Sequence, residues 1–246
     1  MLTLAIVLSA WTTVSDLPEA AAAGDDAFFR IDYGRAVECY RGALFGSPDS
    51  ALLLWRLARA YVCMGEVASP NEQAAMFTSA EQLARQCIVI DSLSSDGHTW
   101  LAAALGYRAL AAPLDERLSL SWELLREAHR AIALDPENDA AYSILGSFYR
   151  ALGNVSWLQR SVATVFLGRV PSGGFEESEA ALKQAVRLAP GIMRHWYELG
   201  VLYIDMGRES EARAALETAA GLPIRTAIDR PRREKARALV ESLSHR

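Results

Sequence analysis

The chain has 246 residues, 51% of them hydrophobic and 22% charged, a balance that builds a buried core and excludes a disordered or fibrous chain. The net charge of −5 argues against nucleic acid as a partner. Seven Lys/Arg stand against three Asp/Glu from Arg225 to Arg246, which leaves the rest near −9; charge on a terminal helix is normally solvation.

In chain order, Leu2 to Trp11 form a short apolar stretch, followed by the small residues Ala20 to Ala23. That pattern predicts a signal peptide or membrane anchor over residues 1–23, since ten apolar residues are too few to span a bilayer as a helix. Export to a periplasm or exterior follows if the segment is a signal peptide, and a membrane-anchored or cytoplasmic chain if it is not. Residues 24–246 are expected to form one all-α domain, a tetratricopeptide-repeat solenoid.

The repeats carry that expectation. Helix A of such a repeat places a large residue, then Leu and a small residue, then Tyr, while helix B carries small residues and ends near Pro. "DAFFRI" reads as a short first A helix, with Phe28 and Phe29 on its apolar face, and "YGRAVECYRGALFGSP" as its B helix. Leu54, Leu57, Ala58, Tyr61 and Gly65 fit the A template, as do Trp100, Ala103, Ala104 and Tyr107. Both of these repeats are expected to have lengthened A-to-B connections around Pro70 and Pro113. Tyr142, Leu145, Gly146, Tyr149 and Gly153 follow, then Trp196, Leu199, Gly200, Tyr203 and Gly207. "RPRREKARALVESLSHR" reads as the capping helix. Cys39, Cys63 and Cys87 fall in helical segments without CxxC or zinc spacing, so they are expected to be packing residues.

The fourth repeat is interrupted. Residues 154–174 separate its two helices, where a few residues would suffice. Leu158, Val162, Val165 and Phe166 recur at helical spacing, and Pro171-Ser172-Gly173-Gly174 then breaks the helix. A short amphipathic helix is expected, either a lid across the groove or packing on the outside. Trp157, Gln159, Arg160, Val162 and Phe166 are its candidate functional residues, and peripheral membrane contact is a third reading.

"LLLWRLARA", "GHTWLA", "AIALDP" and above all "WLQR" followed by "VPSGGFEE" resemble the tetratricopeptide domain of the regulator of microtubule dynamics family, over about Asp25 to Leu243. The resemblance implies a non-enzymatic domain, associated with microtubules or with phospholipid at membrane contacts.

Helical spacing puts Trp55, Arg56, Arg59, His98, Leu101, Leu105, Arg108, Ser147, Arg150 and Tyr197 on the A-helix face lining the groove. Arginines beside apolar residues suit a ligand with an anionic end and an apolar part, since guanidinium forks bind phosphate or carboxylate bidentately. These same arginines could instead pair with acids on neighbouring helices. The leading expectation is a domain that holds an amphipathic anionic ligand such as phospholipid. The alternative is a scaffold that binds a peptide or partner helix. No GxSxG, HExxH or phosphate loop is present, so neither catalysis nor a cofactor or metal is expected.

Overall fold

The computed structural model describes residues 16–155 and 171–244. Among these, helices form five antiparallel pairs and a cap. α1 (Asp16–Phe29) pairs with α2 (Tyr33–Gly46), α3 (Ala51–Gly65) with α4 (Pro70–Ile90), and α5 (Ser95–Ala111) with α6 (Leu114–Leu134). α7 (Asp139–Gly153) pairs with α8 (Phe175–Leu188), α9 (Met193–Asp205) pairs with α10 (Glu209–Gly221), and α11 (Asp229–Ser244) closes the array. The all-α repeat fold is therefore as the sequence indicates.

Local chemistry sets the starts. The side chains of Asp32, Ser50, Ser94 and Asn138 each accept a backbone N–H of the first turn, which satisfies donors that a helix leaves unpaired. Pro70 occupies the first position of α4 behind a Ser69/Glu72 capping box.

Three local expectations are corrected. The first A helix is not short, since α1 has 14 residues, with Ala21 buried in the core. The extra length near Pro70 and Pro113 is helix rather than connection, because α4 and α6 each have 21 residues. Phe28 is buried against Tyr33, but Phe29 is exposed.

The A helices α3, α5, α7 and α9 touch one another in succession and form the inner layer, with α11 against α9. Cores lie between the layers, and Trp100 and Ile144 pack against both the first and the second. The array also touches itself at long range. Arg194, at the start of α9, pairs with Glu66, just past the end of α3. The Ala227 N–H donates to the Tyr33 hydroxyl at 3.0 Å, and Ala227 packs on the first core. Cys63 and Cys87 are buried and Cys39 partly so, all three free thiols; burial pushes the Cys63 thiol up to about 12, so it stays an inert packing group.

Candidate functional site: the inner helix face and its cleft

The arginines expected to receive an anion already hold acids. Arg56 Nε donates to both carboxylate oxygens of Asp25 at 3.0 Å, and Arg59 Nη2 reaches Oδ1 at 3.2 Å. Both guanidiniums stack on aromatic rings, Arg56 at 4.4 Å from the Trp55 centroid and Arg59 at 3.8 Å from Phe28. Arg108 sits between Glu81 and Glu116. Arg150 pairs with Asp205 at 3.0 Å and with Glu198 at 3.5 Å. These pairs join neighbouring A helices (α1 to α3, α7 to α9), adjacent hairpins (α5 to α4) or the two helices of one hairpin (α5 to α6), so the geometry is that of interhelical ties.

His98, Leu101 and Leu105 do not line a groove. His98 is buried, with Nδ1 2.5 Å from Glu127 Oε2. Leu101 and Leu105 lie in the second core. From His98 to Leu105, α5 is buried nearly all round, as an apolar stretch without a polar side is; projecting a single inner stripe onto it fails for that reason. Trp55, Ser147 and Tyr197 are half-buried on the inner layer, and the Arg232 guanidinium lies 5.8 Å from the Tyr197 ring. Trp157, Gln159, Arg160, Val162 and Phe166 lie outside the described residues.

What the fold does build is a cleft of about 690 Å³ between the first half of α4 and the α5–α6 turn, within the size range of ligand pockets. Phe77 and Tyr107 stack in its wall, with centroids 4.5 Å apart and planes within 6°. Ala74, Ala111, Pro113 and Ile228 add apolar surface, and Gln73, Arg108, Glu116 and Arg232 add polar groups. Leu110 lines the cleft and is exposed, and Leu114 beside it is also exposed. At the inner end, the Tyr107 hydroxyl and the Arg194 guanidinium both donate to Glu66 Oε1. Glu66 Oε2 is buried without a hydrogen-bond partner among the described residues. Sequence reasoning marked Tyr107 as a packing residue and missed Glu66 and Arg194, which lie 128 positions apart and give no local signal.

These ties set a pH dependence. Burial raises the Asp25 pKa, but hydrogen bonds from Arg56 and Tyr40 and the charges of Arg56 and Arg59 outweigh it and hold the group below the usual carboxylate value. Glu127 behaves likewise, burial opposing bonds from His98 and Arg126, and Glu123 is lowered chiefly by its bond from Arg85. A carboxylate with a folded pKa below its unfolded one stabilises the fold above about pH 4, and that contribution is lost as pH falls through the folded value. Thermal melts between about pH 7 and about pH 3 should show stability falling in acid, less steeply in Asp25→Asn. Equal slopes for the two proteins would contradict the assignment.

Among the described residues, no group of His, Cys, Asp and Glu could hold a metal ion, and no helix is long and apolar enough to cross a membrane. The family model described as "Regulator of microtubule dynamics protein 1-3" matches residues 28–244. The chain belongs to this family. Regulator of microtubule dynamics protein 2 of Rattus norvegicus is 24% identical over 192 residues, covering 77% of this chain and 47% of that protein. Protein 3 of Bos taurus is 28% identical over 177 residues, covering 69% and 36%. The chain thus spans half or less of the length of these relatives. Among solved structures, a thermophilic TPR protein of Thermus thermophilus superposes with a TM-score of 0.68 at 20% identity, covering 90% of this chain and 99% of that one. PilW, a type IV pilus biogenesis factor, gives 0.56 at 16% identity, covering 95% and 91%. These likenesses concern the fold.

Proposed function

We propose that this member of the regulator of microtubule dynamics family is a non-enzymatic protein-interaction scaffold that seats a partner segment in the cleft beside Phe77 and Tyr107. The observation that carries the reading is the cleft itself, with its stacked aromatic wall, its exposed Leu110 with Leu114 exposed beside it, and the unpaired Glu66 oxygen at its inner end. A partner would put an apolar side chain against the rings and offer a donor toward Glu66. The pairing of Arg56, Arg59, Arg108 and Arg150 with acids weighs against a phospholipid headgroup, because each guanidinium would have to leave a carboxylate first. The relatives' names speak of microtubule dynamics; for this chain, a microtubule partner is one candidate for the scaffold.

Photo-crosslinkers placed at residues 110 and 114 of the full chain test the reading. They are expected to capture one defined protein segment, whereas a crosslinker at exposed Glu217 on α10 does not. Leu110→Asp with Leu114→Asp should weaken that binding about tenfold or more, since two apolar contacts become charged, without moving the thermal melt. Capture of lipid instead of protein, or equal capture from residue 217, would overturn the reading.

A further inference from the structure

A second surface lies on the opposite edge of the solenoid, where each B helix turns into the next A helix. Three such turns, residues 47–50, 91–94 and 135–138, are tied together by side chains. Cys87 Sγ donates to the Ala51 carbonyl at 3.3 Å and contacts Ser94 Oγ at 3.6 Å. Ser95 Oγ donates to the Ala131 carbonyl at 3.0 Å, and Asn138 Nδ2 donates to Ser95 Oγ at 2.8 Å. The turns therefore form one edge.

That edge combines two features. Large apolar side chains stand out from it, with Phe45 94% and Val89 85% exposed and Leu52, Ile90 and Leu93 exposed beside them. No Lys or Arg occurs in residues 42–55, 86–107 or 131–149, yet these stretches hold Asp49, Asp91, Asp96, Asp135, Glu137 and Asp139. Asp91 and Asp135 only cap their own turns, at 3.0 and 2.9 Å. Asp139 pairs with His195, and Arg56 and Arg59 act on Asp96. Burial raises the Asp96 pKa against the charges of Arg59 and Arg56, with a smaller contribution from Asp135 and Asp139. Scattered exposed apolar residues are ordinary on a surface, but a cluster inside an acidic rim is a docking signature.

We propose that this edge docks a basic amphipathic helix of a partner protein, its apolar stripe on Phe45, Leu52, Val89 and Leu93 and its Lys/Arg face against the acids of the three turns. The occupant is helical because the edge offers no free strand for an extended chain to pair with, whereas a helix arrives with its backbone bonds made. The three turns open onto α3, α5 and α7, which touch in succession, so the first and third lie two interhelix spacings apart, about 20 Å. A helix of about 14 residues covers that span at 1.5 Å per residue. The proposal extends the scaffold reading and uses a face distinct from the cleft.

The test uses the full chain and two synthetic peptides of about 14 residues with leucines at helical spacing, one carrying Lys at the remaining positions and one Glu. Fluorescence anisotropy should show binding of the Lys peptide only, weakening as salt rises above about 0.15 M. Val89→Ser with Leu93→Ser should lower that affinity about tenfold or more, and Leu110→Asp with Leu114→Asp should leave it unchanged. Failure of the cleft crosslinks with this binding intact would sink the cleft alone. Absence of Lys-peptide binding, or binding indifferent to Val89→Ser and Leu93→Ser, overturns the edge proposal. Self-association lost in the same variant overturns it in favour of an interface between copies. Binding that appears only after removal of residues 1–15 overturns it in favour of the chain's own amino terminus.

Discussion

Arg194→Ala is expected to lower the stability of the fold by about 3 kcal/mol, the range found when one partner of a buried ion pair is removed. The size follows from what is left behind. The Glu66 side chain is 2% exposed, and without Arg194 its carboxylate keeps only the Tyr107 hydroxyl. Glu66→Ala should cost less, because the Arg194 side chain is 30% exposed and its guanidinium can turn to water. Burial disfavours the Arg194 charge, and Glu66 and Tyr107 more than restore it, so its pKa lies well above the ordinary arginine value. The double variant Glu66→Leu, Arg194→Met should recover most of the loss, since an apolar pair of similar volume needs no desolvation of charge. Urea denaturation of the four proteins checks this order. An Arg194→Ala protein as stable as the parent would remove the pair from the account of how distant repeats are held.

A second large effect is expected at Gly146, where alanine should destabilise by about 2 kcal/mol although it is the better helix former by about 1 kcal/mol. A Cβ there would sit 2.5 Å from Leu182 Cγ and 3.3 Å from the Leu182 backbone nitrogen. Leu182 is fully buried, and the Ser178 hydroxyl donates to the Gly146 carbonyl at 2.8 Å, so α8 has little freedom to withdraw from α7. Gly42→Ala in α2 is the control, since nothing lies within 4 Å of its added Cβ; there the propensity gain of up to about 1 kcal/mol should appear as stabilisation. Melting temperatures that move the same way in both variants would refute the close-approach argument.

Gly146 and its counterpart Gly200 show why the fold was legible in the sequence. Gly146 and Gly200 occupy the small-residue position of the repeat, and each faces a buried leucine of the following B helix, Leu182 or Leu216. A short-range steric requirement of this kind recurs at fixed spacing and can be read from one chain. The site was less legible because its chemistry depends on partners chosen in three dimensions. The cluster of arginines was visible, but Asp25 lies 31 positions before Arg56 and 34 before Arg59, and only the packing of α1 on α3 brings the charges together. Leu101 and Leu105 went astray for a different reason. Helical spacing assigns them to an inner stripe, whereas the apolar run from Trp100 to Leu105 leaves that part of α5 no polar side to hold open. Exposed Phe45 and Val89 broke the expected polarity of turn edges, which is a sign of function readable from the sequence once the turns are placed.

The bond from Ala227 to the Tyr33 hydroxyl spans 194 positions, and it changes what kind of object the array is. Repeats that touch only their neighbours behave as a one-dimensional stack, which nucleates anywhere and frays from its ends. Here the segment ahead of the capping helix is fastened to the second helix, so the terminal units are the ones clamped. Tyr33 must therefore wait for a residue 194 positions later before this bond can form, which raises the contact order and slows that step of folding. Once that step is taken, opening of the array between Tyr33 and Ala227 is expected to be closer to all-or-none than in a linear array.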